Sequence, residues 1–468
     1  MLRKTGGHYP APLKILEILQ QTRSLPIADG LRIEARSLGE LLATKECKNL
    51  VHMFHLSQRA RKALPHASSN SLPRQAAVVG VGIMGGGIAS LLASRNIPVR
   101  LKDIKTEAVA AGIDQAGKLL SKRSRGQTTD DTTKLLTGQL DYRGFSTIEI
   151  VIEAVVEQSA IKQVVIQEVE AEIPESAIIA SNTSALSISD LQKVATRPGR
   201  IAGLHFFIPV DKMPLVEVIA GARTDTSTLD TLVALALKLG KFSIIVADRP
   251  GFLVNRLLGV MLAEACLLVE TGTSWKSLDQ LAIDFGWAMG PFRLIDEIGI
   301  DIAVEAGQTL AAAFPYLKKS SLLEQLLANQ QLGRKVGAGF YNYSRGHVAG
   351  FNPHGCPVQS EQPASALEFR RLLLIMVNEA ARCLEDEIVR HPADIDTGLV
   401  FGTGFPPFRG GLCRWADDQG PGKLIGELQE LAAQHGPRFN PAAYLAEHKT
   451  FYQPDDGARA TDNKNGAG

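Results

Sequence analysis

The sequence has little of what marks a secreted, membrane-bound or nucleic-acid-binding protein. Its 468 residues include five widely scattered cysteines, and none of them form a C-x-x-C pair, so neither a disulfide framework nor a zinc site is predicted. No uninterrupted apolar run reaches the ~20 residues that span a bilayer. The formal net charge of +1 gives no reason to expect nucleic acid as a partner. These absences favour a soluble, cytoplasmic globular protein that needs no metal.

The most informative stretch is residues 75–90, where a short apolar run is followed by closely spaced glycines. Gly80, Gly82 and Gly85 form the pattern G-x-G-x-x-G. This spacing permits a tight turn and lets a pyrophosphate approach the backbone at a helix N-terminus. A second apolar stretch leads to Asp103, about 20 residues beyond the central glycine, where an acid binds a ribose 2′-hydroxyl. The context predicts a dinucleotide-binding domain; a glycine-rich turn of another doubly wound domain is the alternative.

Two further polar residues follow predicted strands. Glu157 comes after the apolar stretch 148–156, and Ser184 ends the tetrapeptide Ser-Asn-Thr-Ser after a strand at 177–180. In open α/β sheets, ligands bind outside the carboxyl ends of the strands. We therefore expect both side chains to point at the cofactor cleft.

The next two strands each contain one titratable residue among apolar ones. His205 lies in the stretch 201–210 and Glu217 in the stretch 213–219, with a short Pro-bounded loop between them. Each residue alone is more often structural, as a core histidine or an edge glutamate. Strands joined by a short loop can bring the two together, and a carboxylate on one imidazole nitrogen fixes the tautomer and raises the basicity of the ring. The pair is therefore a candidate general base with its orienting group.

The C-terminal part contains an internal repeat. Several residues recur at one constant spacing: Arg256, Glu264 and Asp279 match Arg371, Glu379 and Asp394. The segment 285–292 recurs as 401–408, with a shift of a single residue. Such self-similarity predicts two copies of one helical unit, which we expect to dock on each other as an internal pseudo-dimer. The second copy has Arg370 at the position of Asn255 and so lacks that polar candidate.

With these motifs in place, the sequence resembles the L-3-hydroxyacyl-CoA dehydrogenase family, and in particular the dehydrogenase part of the multifunctional enzymes of fatty-acid β-oxidation. The resemblance extends over nearly the whole chain. It implies NAD as cofactor, an acyl-CoA substrate, oxidation of L-3-hydroxyacyl-CoA to 3-ketoacyl-CoA (class 1.1.1.35), and a thiolase subunit as a partner of the full-length enzymes. The segments that carry it are 80–87, 152–157 with Lys162, 181–184, 204–207, 214–217, 250–256 and 289–292.

The resemblance also implies residue roles. His205 is similar to the base that takes the proton of the 3-hydroxyl group, and Glu217 to its orienting carboxylate. Ser184 and Asn255 match residues that hydrogen-bond substrate, cofactor and histidine, and Asp103 matches the adenosine-ribose ligand. The positions implied to bind or line the cofactor are Gly80, Gly82, Met84, Gly85, Val155, Val156, Glu157, Lys162 and Ser184.

Two positions depart from the family pattern. Ile208 stands where the family usually has Asn, which removes a polar cofactor contact. Phe401, at a position implied to contact acyl-CoA, stands where multifunctional members often have Tyr. Two other functions stay open: a degenerate, non-catalytic scaffold that binds CoA or partner subunits, and a short-chain 3-hydroxybutyryl-CoA or hydroxy-acid dehydrogenase.

The predicted architecture is an α/β Rossmann-type domain followed by two repeated all-α domains, with a short helical segment at the N-terminus. That segment, with Thr44 placed to cap its third helix, resembles the end of an enoyl-CoA hydratase domain and its linker helix, without the catalytic residues, so no hydratase activity is expected. The predicted bounds are 1–66 for this segment, 75–248 for the NAD-binding domain, 249–345 and 365–452 for the helical domains, and 453–468 for a disordered tail.

Overall fold

The computed structural model of the protein describes residues 5–62, 72–123, 132–358 and 362–452. It divides into two compact units. The sheet unit comprises Ser57–Leu253 and Glu387–Val389, and the helical unit comprises the remaining described residues. The predicted tail at 453–468 lies outside the described residues. The predicted domain bounds stay a prediction.

The N-terminal residues that the structure describes include the helices α1 (Pro10–Thr22), α2 (Ile27–Leu42) and α3 (Lys45–Lys62). The backbone N–H of Cys47 donates to the Thr44 side chain at 3.2 Å, which confirms the predicted cap. Among the described residues, no helix combines the length and the apolar character that crossing a membrane requires.

The sheet unit is built on eight strands in the order β3-β2-β1-β4-β5-β6-β7-β8. All neighbouring strands are parallel except β6 and β7, which are antiparallel. The order reverses between β1 and β4, and such a switch point opens a ligand crevice at the carboxyl ends of the strands. The strands are β1 (Ala76–Val79), β2 (Val99–Lys102), β3 (Leu136–Gln139), β4 (Ile150–Glu153), β5 (Ile178–Ser181), β6 (Ile201–Phe206), β7 (Leu215–Ala220) and β8 (Phe242–Ala247).

Helical segments lie between most of these strands, whereas a loop joins β6 to β7. Because every residue of β1, β4, β5 and β6 is buried, these strands read as nearly continuous apolar runs, interrupted by Glu153, Ser181 and His205, as is typical of strands with both faces covered. The pattern of the long polar stretch 107–136 predicts helix throughout; the helix is described to Arg123, but Leu136 begins the edge strand β3, so the prediction is wrong at that end. That strand is largely exposed and polar, so it carries no apolar pattern. The helices are α4 (Ile83–Ala93), α5 (Thr106–Arg123), α6 (Ser159–Glu172), α7 (Ile188–Leu191) and α8 (Thr226–Lys238).

The helical unit contains both copies of the repeat. The first copy has α9 (Val254–Glu270), α10 (Trp275–Phe285), α11 (Pro291–Ile298), α12 (Ile300–Ala313) and α13 (Leu322–Ala328). The second has α14 (Ala366–Glu385), α15 (Pro392–Thr403), α16 (Leu412–Gln419), α17 (Pro421–His435) and α18 (Ala443–His448). An antiparallel hairpin, β9 (Tyr341–Ser344) and β10 (His347–Phe351), lies between them, so the prediction of helical structure up to residue 345 is wrong at β9.

The predicted match between Asp279 and Asp394 is also wrong. Asp279 accepts from two backbone N–H groups in the first turn of α11, at 2.9 and 3.0 Å. In the second copy Asp396 does the same for the first turn of α16, at 2.7 and 3.2 Å. The connection from α14 to α15 is longer than that from α9 to α10, so the constant sequence spacing fails beyond it.

The same shift affects the segment 401–408. Helix α10 ends at Phe285 and α15 ends at Thr403. The equivalence of Asp279 with Asp396 sets an offset of 117 (396 − 279), which pairs Phe285 with Gly402, so the predicted match with Phe401 is one residue off. Phe401 itself lies in the last turn of α15.

Candidate active site

The glycine turn between β1 and α4 has the shape that a dinucleotide requires. A side-chain carbon at Gly80, whose φ is +91°, would lie 2.5 Å from the carbonyl of Ala154, and one at Gly85 would lie 1.9 Å from the carbonyl oxygen of Gly80. Packing therefore requires glycine at both positions. Gly82, the N-cap of α4, has no such neighbour within 4 Å, so its backbone faces open space at the helix N-terminus. A pyrophosphate group fits there.

Asp103 follows β2 and lies against this turn. One carboxylate oxygen accepts from the backbone N–H of Val81 at 2.8 Å, and the other accepts from Ile104 at 2.7 Å. These contacts fix the carboxylate at the edge of the glycine turn, the place where an acid can accept from the adenosine ribose. Of the other implied cofactor positions, Val156 is exposed and Met84 and Val155 are half-buried.

His205 and Glu217 meet directly. They are register partners on the antiparallel strands β6 and β7, and the imidazole Nδ1 lies 2.8 Å from Glu217 Oε2. Glu217 is fully buried and His205 is 6% exposed. The other carboxylate oxygen accepts from the backbone N–H of Leu253 at 3.2 Å. With Nδ1 donating to the carboxylate, Nε2 is the ring atom that can accept a proton.

The Pro-bounded loop between these strands has an anchor that the sequence analysis missed. The side chain of Lys241 is 5% exposed, and its ammonium donates to the carbonyls of Val210 and Met213, both at 2.5 Å. This bridge ties together two points of the loop that joins the strand of His205 to the strand of Glu217. The only signal for this contact in the sequence was a lysine directly before an apolar strand.

Glu157 organises the loop that carries Ser184. Its Oε1 atom accepts from the backbone N–H of Ser184 at 2.8 Å, from the Thr183 hydroxyl at 2.5 Å and from the Ser184 hydroxyl at 3.3 Å. Burial alone would raise the pKa of Glu157, but the nearby Lys162 ammonium and these donors together hold the pKa below its usual value. Glu157 is therefore an ionised acceptor at neutral pH.

Asn182 connects this loop with the histidine strand. Its side-chain oxygen accepts from the backbone N–H of Phe206 at 2.9 Å, one residue beyond His205. The hydroxyl of Ser181 donates to Glu153 at 2.6 Å. Every residue of the tetrapeptide thus has a defined contact, and the sheet unit brings the Ser184 loop and the His205–Glu217 pair into one hydrogen-bonded framework.

Glu153 is a site residue that the sequence analysis missed. It ends β4, is fully buried, and forms an ion pair with Lys162 at 2.8 Å. A carboxylate within an otherwise apolar strand was the available signal. Asn255, by contrast, lies in the helical unit, in the first turn of α9, and its predicted role stays a prediction.

Comparison with known proteins identifies the family. Residues 75–249 match the model for the 3-hydroxyacyl-CoA dehydrogenase NAD binding domain, and residues 251–343 match the model for the 3-hydroxyacyl-CoA dehydrogenase C-terminal domain. The chain belongs to the 3-hydroxyacyl-CoA dehydrogenase family. This dehydrogenase is 38% identical over 473 residues to the fatty acid oxidation complex subunit alpha of Shewanella amazonensis, with 97% of this chain and 67% of that protein covered. It thus spans about two thirds of the length of that relative.

Solved structures agree with this assignment. A 3-hydroxybutyryl-CoA dehydrogenase from Escherichia coli has a TM-score of 0.72 at 25% identity, covering 81% of this chain and 98% of that one. An (S)-3-hydroxybutyryl-CoA dehydrogenase from Ralstonia eutropha has a TM-score of 0.55 at 35% identity, covering 58% of this chain and 100% of that one. The predictions of the family, of a Rossmann-type sheet followed by a helical region, and of NAD as cofactor are confirmed.

Proposed function

We propose that this dehydrogenase oxidises L-3-hydroxyacyl-CoA to 3-ketoacyl-CoA in fatty-acid β-oxidation. The observation that carries the proposal is the buried His205–Glu217 pair at 2.8 Å, which lies in the same unit as the glycine turn. A dehydrogenase that acts on an alcohol needs a base for the hydroxyl proton, and this pair supplies one. The relative from Shewanella amazonensis, whose name places it in a fatty acid oxidation complex, supports the β-oxidation assignment.

In this mechanism, His205 is neutral at the start. Its Nδ1–H donates to Glu217, so Nε2 takes the proton as the O–H bond of the 3-hydroxyl group breaks and the C3=O bond forms. Bound NAD supplies the acceptor for the hydride that leaves C3. The Glu217 carboxylate stabilises the resulting imidazolium at short range, and burial strengthens that interaction because water does not screen it.

Ser184 completes the proposed arrangement within the sheet unit, and the substrate contact implied for Asn255 stays a prediction. Hydrogen bonds to the substrate oxygen orient C3 and stabilise the charge that develops there. Glu157 fixes the backbone of Ser184, which limits the entropy lost when substrate binds; the Ser184 hydroxyl has one proton to donate and exchanges its 3.3 Å contact with Glu157 for the substrate oxygen. The proposed cofactor contacts are Asp103 at the adenosine ribose and the glycine turn at the pyrophosphate.

A second candidate is a short-chain 3-hydroxybutyryl-CoA dehydrogenase, which the names of the two similar structures favour. We also propose a cytoplasmic location and a partner subunit of the thiolase class, since the Shewanella relative is a subunit of a complex. Co-purification with a thiolase encoded in the same host tests the partnership. The intact His205–Glu217 pair argues against a scaffold without catalytic activity.

Initial rates of NADH formation test the proposal. The purified protein receives NAD with the L and D enantiomers of 3-hydroxybutyryl-CoA and of a 3-hydroxyacyl-CoA with a long acyl chain. We expect turnover of the L enantiomers only. A kcat/KM that falls steeply with chain length supports the short-chain candidate, whereas NAD binding without turnover of any L substrate contradicts the proposal.

A further inference from the structure

Glu153 and Lys162 form a buried ion pair, and a contribution to stability alone does not explain why this pair is present. Glu153 is fully buried and Lys162 is 1% exposed. The ammonium lies 2.8 and 3.1 Å from the two oxygens of Glu153. Desolvation of two such charges roughly cancels their attraction, so a packed apolar pair of similar volume is often as stable or more stable.

The pair reaches the Ser184 loop through Glu157. Besides Glu153, the Lys162 ammonium contacts Oε2 of Glu157 at 3.2 Å and the carbonyl of Val155 at 3.3 Å. The opposite oxygen of Glu157 is the one that accepts from the loop, with the Ser184 backbone N–H at 2.8 Å. A continuous chain of charge-assisted contacts therefore runs from Glu153 to Ser184.

The ammonium of Lys162 has no donor to spare for a ligand. An ammonium group has three N–H donors, and here they face Glu153, Glu157 and the Val155 carbonyl. The side chain is almost completely enclosed. Direct contact with a cofactor, which the family resemblance implies for this position, would require one of these contacts to break.

We propose that Glu153 and Lys162 are positioning residues: they hold Glu157, and through it the Ser184 loop, in the geometry that the reaction needs. Glu153 balances the ammonium, so that Lys162 does not draw Glu157 away from the loop. The inference rests on the proposed function, in which Ser184 orients the substrate oxygen.

Each substitution disturbs this balance in a defined way. In Glu153→Gln, the ammonium keeps one carboxylate partner, Glu157, which moves towards it and releases the donors of Ser184. In Lys162→Met, two carboxylates face each other without a cation, and the pKa of Glu157, which Lys162 now helps to lower against burial, rises. The acidic limb of the kcat/KM profile therefore moves to higher pH in Lys162→Met.

Glu170→Gln is the matched control. Glu170 lies on the same helix as Lys162, is 8% exposed, and accepts from the backbone N–H groups of Thr196 and Arg197 at 2.8 and 2.6 Å. Like Glu153, it is a buried carboxylate that binds a loop, but its loop is not the one that carries Ser184. The variant Glu170→Gln therefore measures how much the loss of a buried carboxylate lowers stability when the Ser184 loop is not affected.

Hydrogen exchange and steady-state kinetics on the full chain test the proposal. Misplacement of a substrate-orienting group by about 1 Å can cost 10²-fold, so kcat in Glu153→Gln should fall by between about 10- and 100-fold. Amide exchange of residues 182–187 should accelerate. Glu170→Gln should accelerate exchange only at residues 196–197 and keep the wild-type kcat and pH profile.

Wild-type exchange at 182–187 together with wild-type kcat in Glu153→Gln overturns the proposal, as does a loss of kcat no greater than that of Glu170→Gln. Should Glu153→Gln fail to fold, Ser181→Ala removes only the hydroxyl that donates to Glu153 at 2.6 Å and gives a milder test by the same readouts. An inactive wild-type protein contradicts the proposed function instead, and exchange at 182–187 then decides the positioning role by itself.

Discussion

Arg256 and Glu379 form a buried ion pair between the two copies of the helical repeat, with the guanidinium Nε 2.6 Å from the carboxylate. The reciprocal pair joins Arg371 to Glu264, also at 2.6 Å. The sequence repeat matches Arg256 with Arg371 and Glu264 with Glu379, so each copy gives one arginine and one glutamate to the other. Reciprocal contacts of this kind are what a two-fold symmetric interface produces; here one chain supplies both halves.

The first prediction concerns the stability of this interface. Arg256→Met should lower the free energy of unfolding by about 2 kcal/mol, because it removes one of the two cations paired with the buried Glu379 and leaves only Arg382. Lys335→Met, which breaks the exposed pair of Lys335 and Asp301, should cost less than ~1 kcal/mol. Urea unfolding measures both. Equal losses in the two variants would show that the internal interface does not depend on its ion pairs.

The second prediction concerns assembly. Because the second copy covers the first within the chain, the helical repeat needs no second molecule. Light scattering should therefore give a mass near 50.4 kDa. Deletion of the second copy, residues 366–452, should expose α9 and produce dimers or aggregates. A truncated protein that stays monomeric and keeps full activity would contradict the docking of the two copies.

The third prediction is a pH effect in the helical unit. Burial raises the pKa of Asp279 to about 6, above its value in the unfolded chain, so the folded state holds a proton that the unfolded state has lost between pH ~4 and ~6. Protonation therefore favours the folded state in this window, and stability from Asp279 rises as pH falls from 7 to 5, by about 1 kcal/mol.

The variant Asp279→Asn lacks this titration. Its unfolding free energy, measured in urea at pH 5 and at pH 7, should gain less on acidification than that of the wild type. If the unfolding free energies of the wild type and of Asp279→Asn change equally between pH 7 and pH 5, the pKa of Asp279 lies near its ordinary value.

The fourth prediction concerns cofactor choice. A carboxylate at the ribose accepts from a 2′-hydroxyl and repels a 2′-phosphate, so kcat/KM should be at least about tenfold higher with NAD than with NADP, a difference of ~1.4 kcal/mol. Asp103→Asn should lower the ratio of kcat/KM with NAD to kcat/KM with NADP, because it removes the charge that repels the 2′-phosphate. The amide oxygen can still accept from the backbone N–H of Val81, so the glycine turn keeps this contact. The exposed Asp141→Asn serves as control. Comparable efficiency with both cofactors in the wild type would argue against Asp103 as the ribose ligand.

Short-range patterns in the sequence were sufficient for the main parts of the site. The glycine spacing and the acid beyond it predict the dinucleotide turn because that turn is local. His205 and Glu217 could be paired because a short loop joins their strands. The role of Glu153 was not predictable. Its partner Lys162 lies on the following helix, and a loop separates that helix from the strand of Glu153.

Failures elsewhere have physical causes as well. The strand β3 is half-exposed and polar, so its stabilisation comes from backbone pairing with β2 and leaves no apolar signature. The match of Asp279 with Asp394 failed because a longer connection shifts the register before Asp396. Only the hydrogen bonds to the first turn of the next helix show that Asp396 is the counterpart of Asp279 in the second copy.

The most direct test of the account is kcat for oxidation of L-3-hydroxybutyryl-CoA by His205→Gln, with NAD affinity measured in parallel. Loss of a general base costs between about 10² and 10⁴-fold, and we expect a decrease in that range with an unchanged dissociation constant for NAD, because the glycine turn and Asp103 stay in place. Glu217→Gln should show a smaller decrease, since the base remains but its imidazolium loses a charged partner. A kcat of His205→Gln within about twofold of the wild type, far less than the loss of a base, would remove His205 from the mechanism and contradict the account.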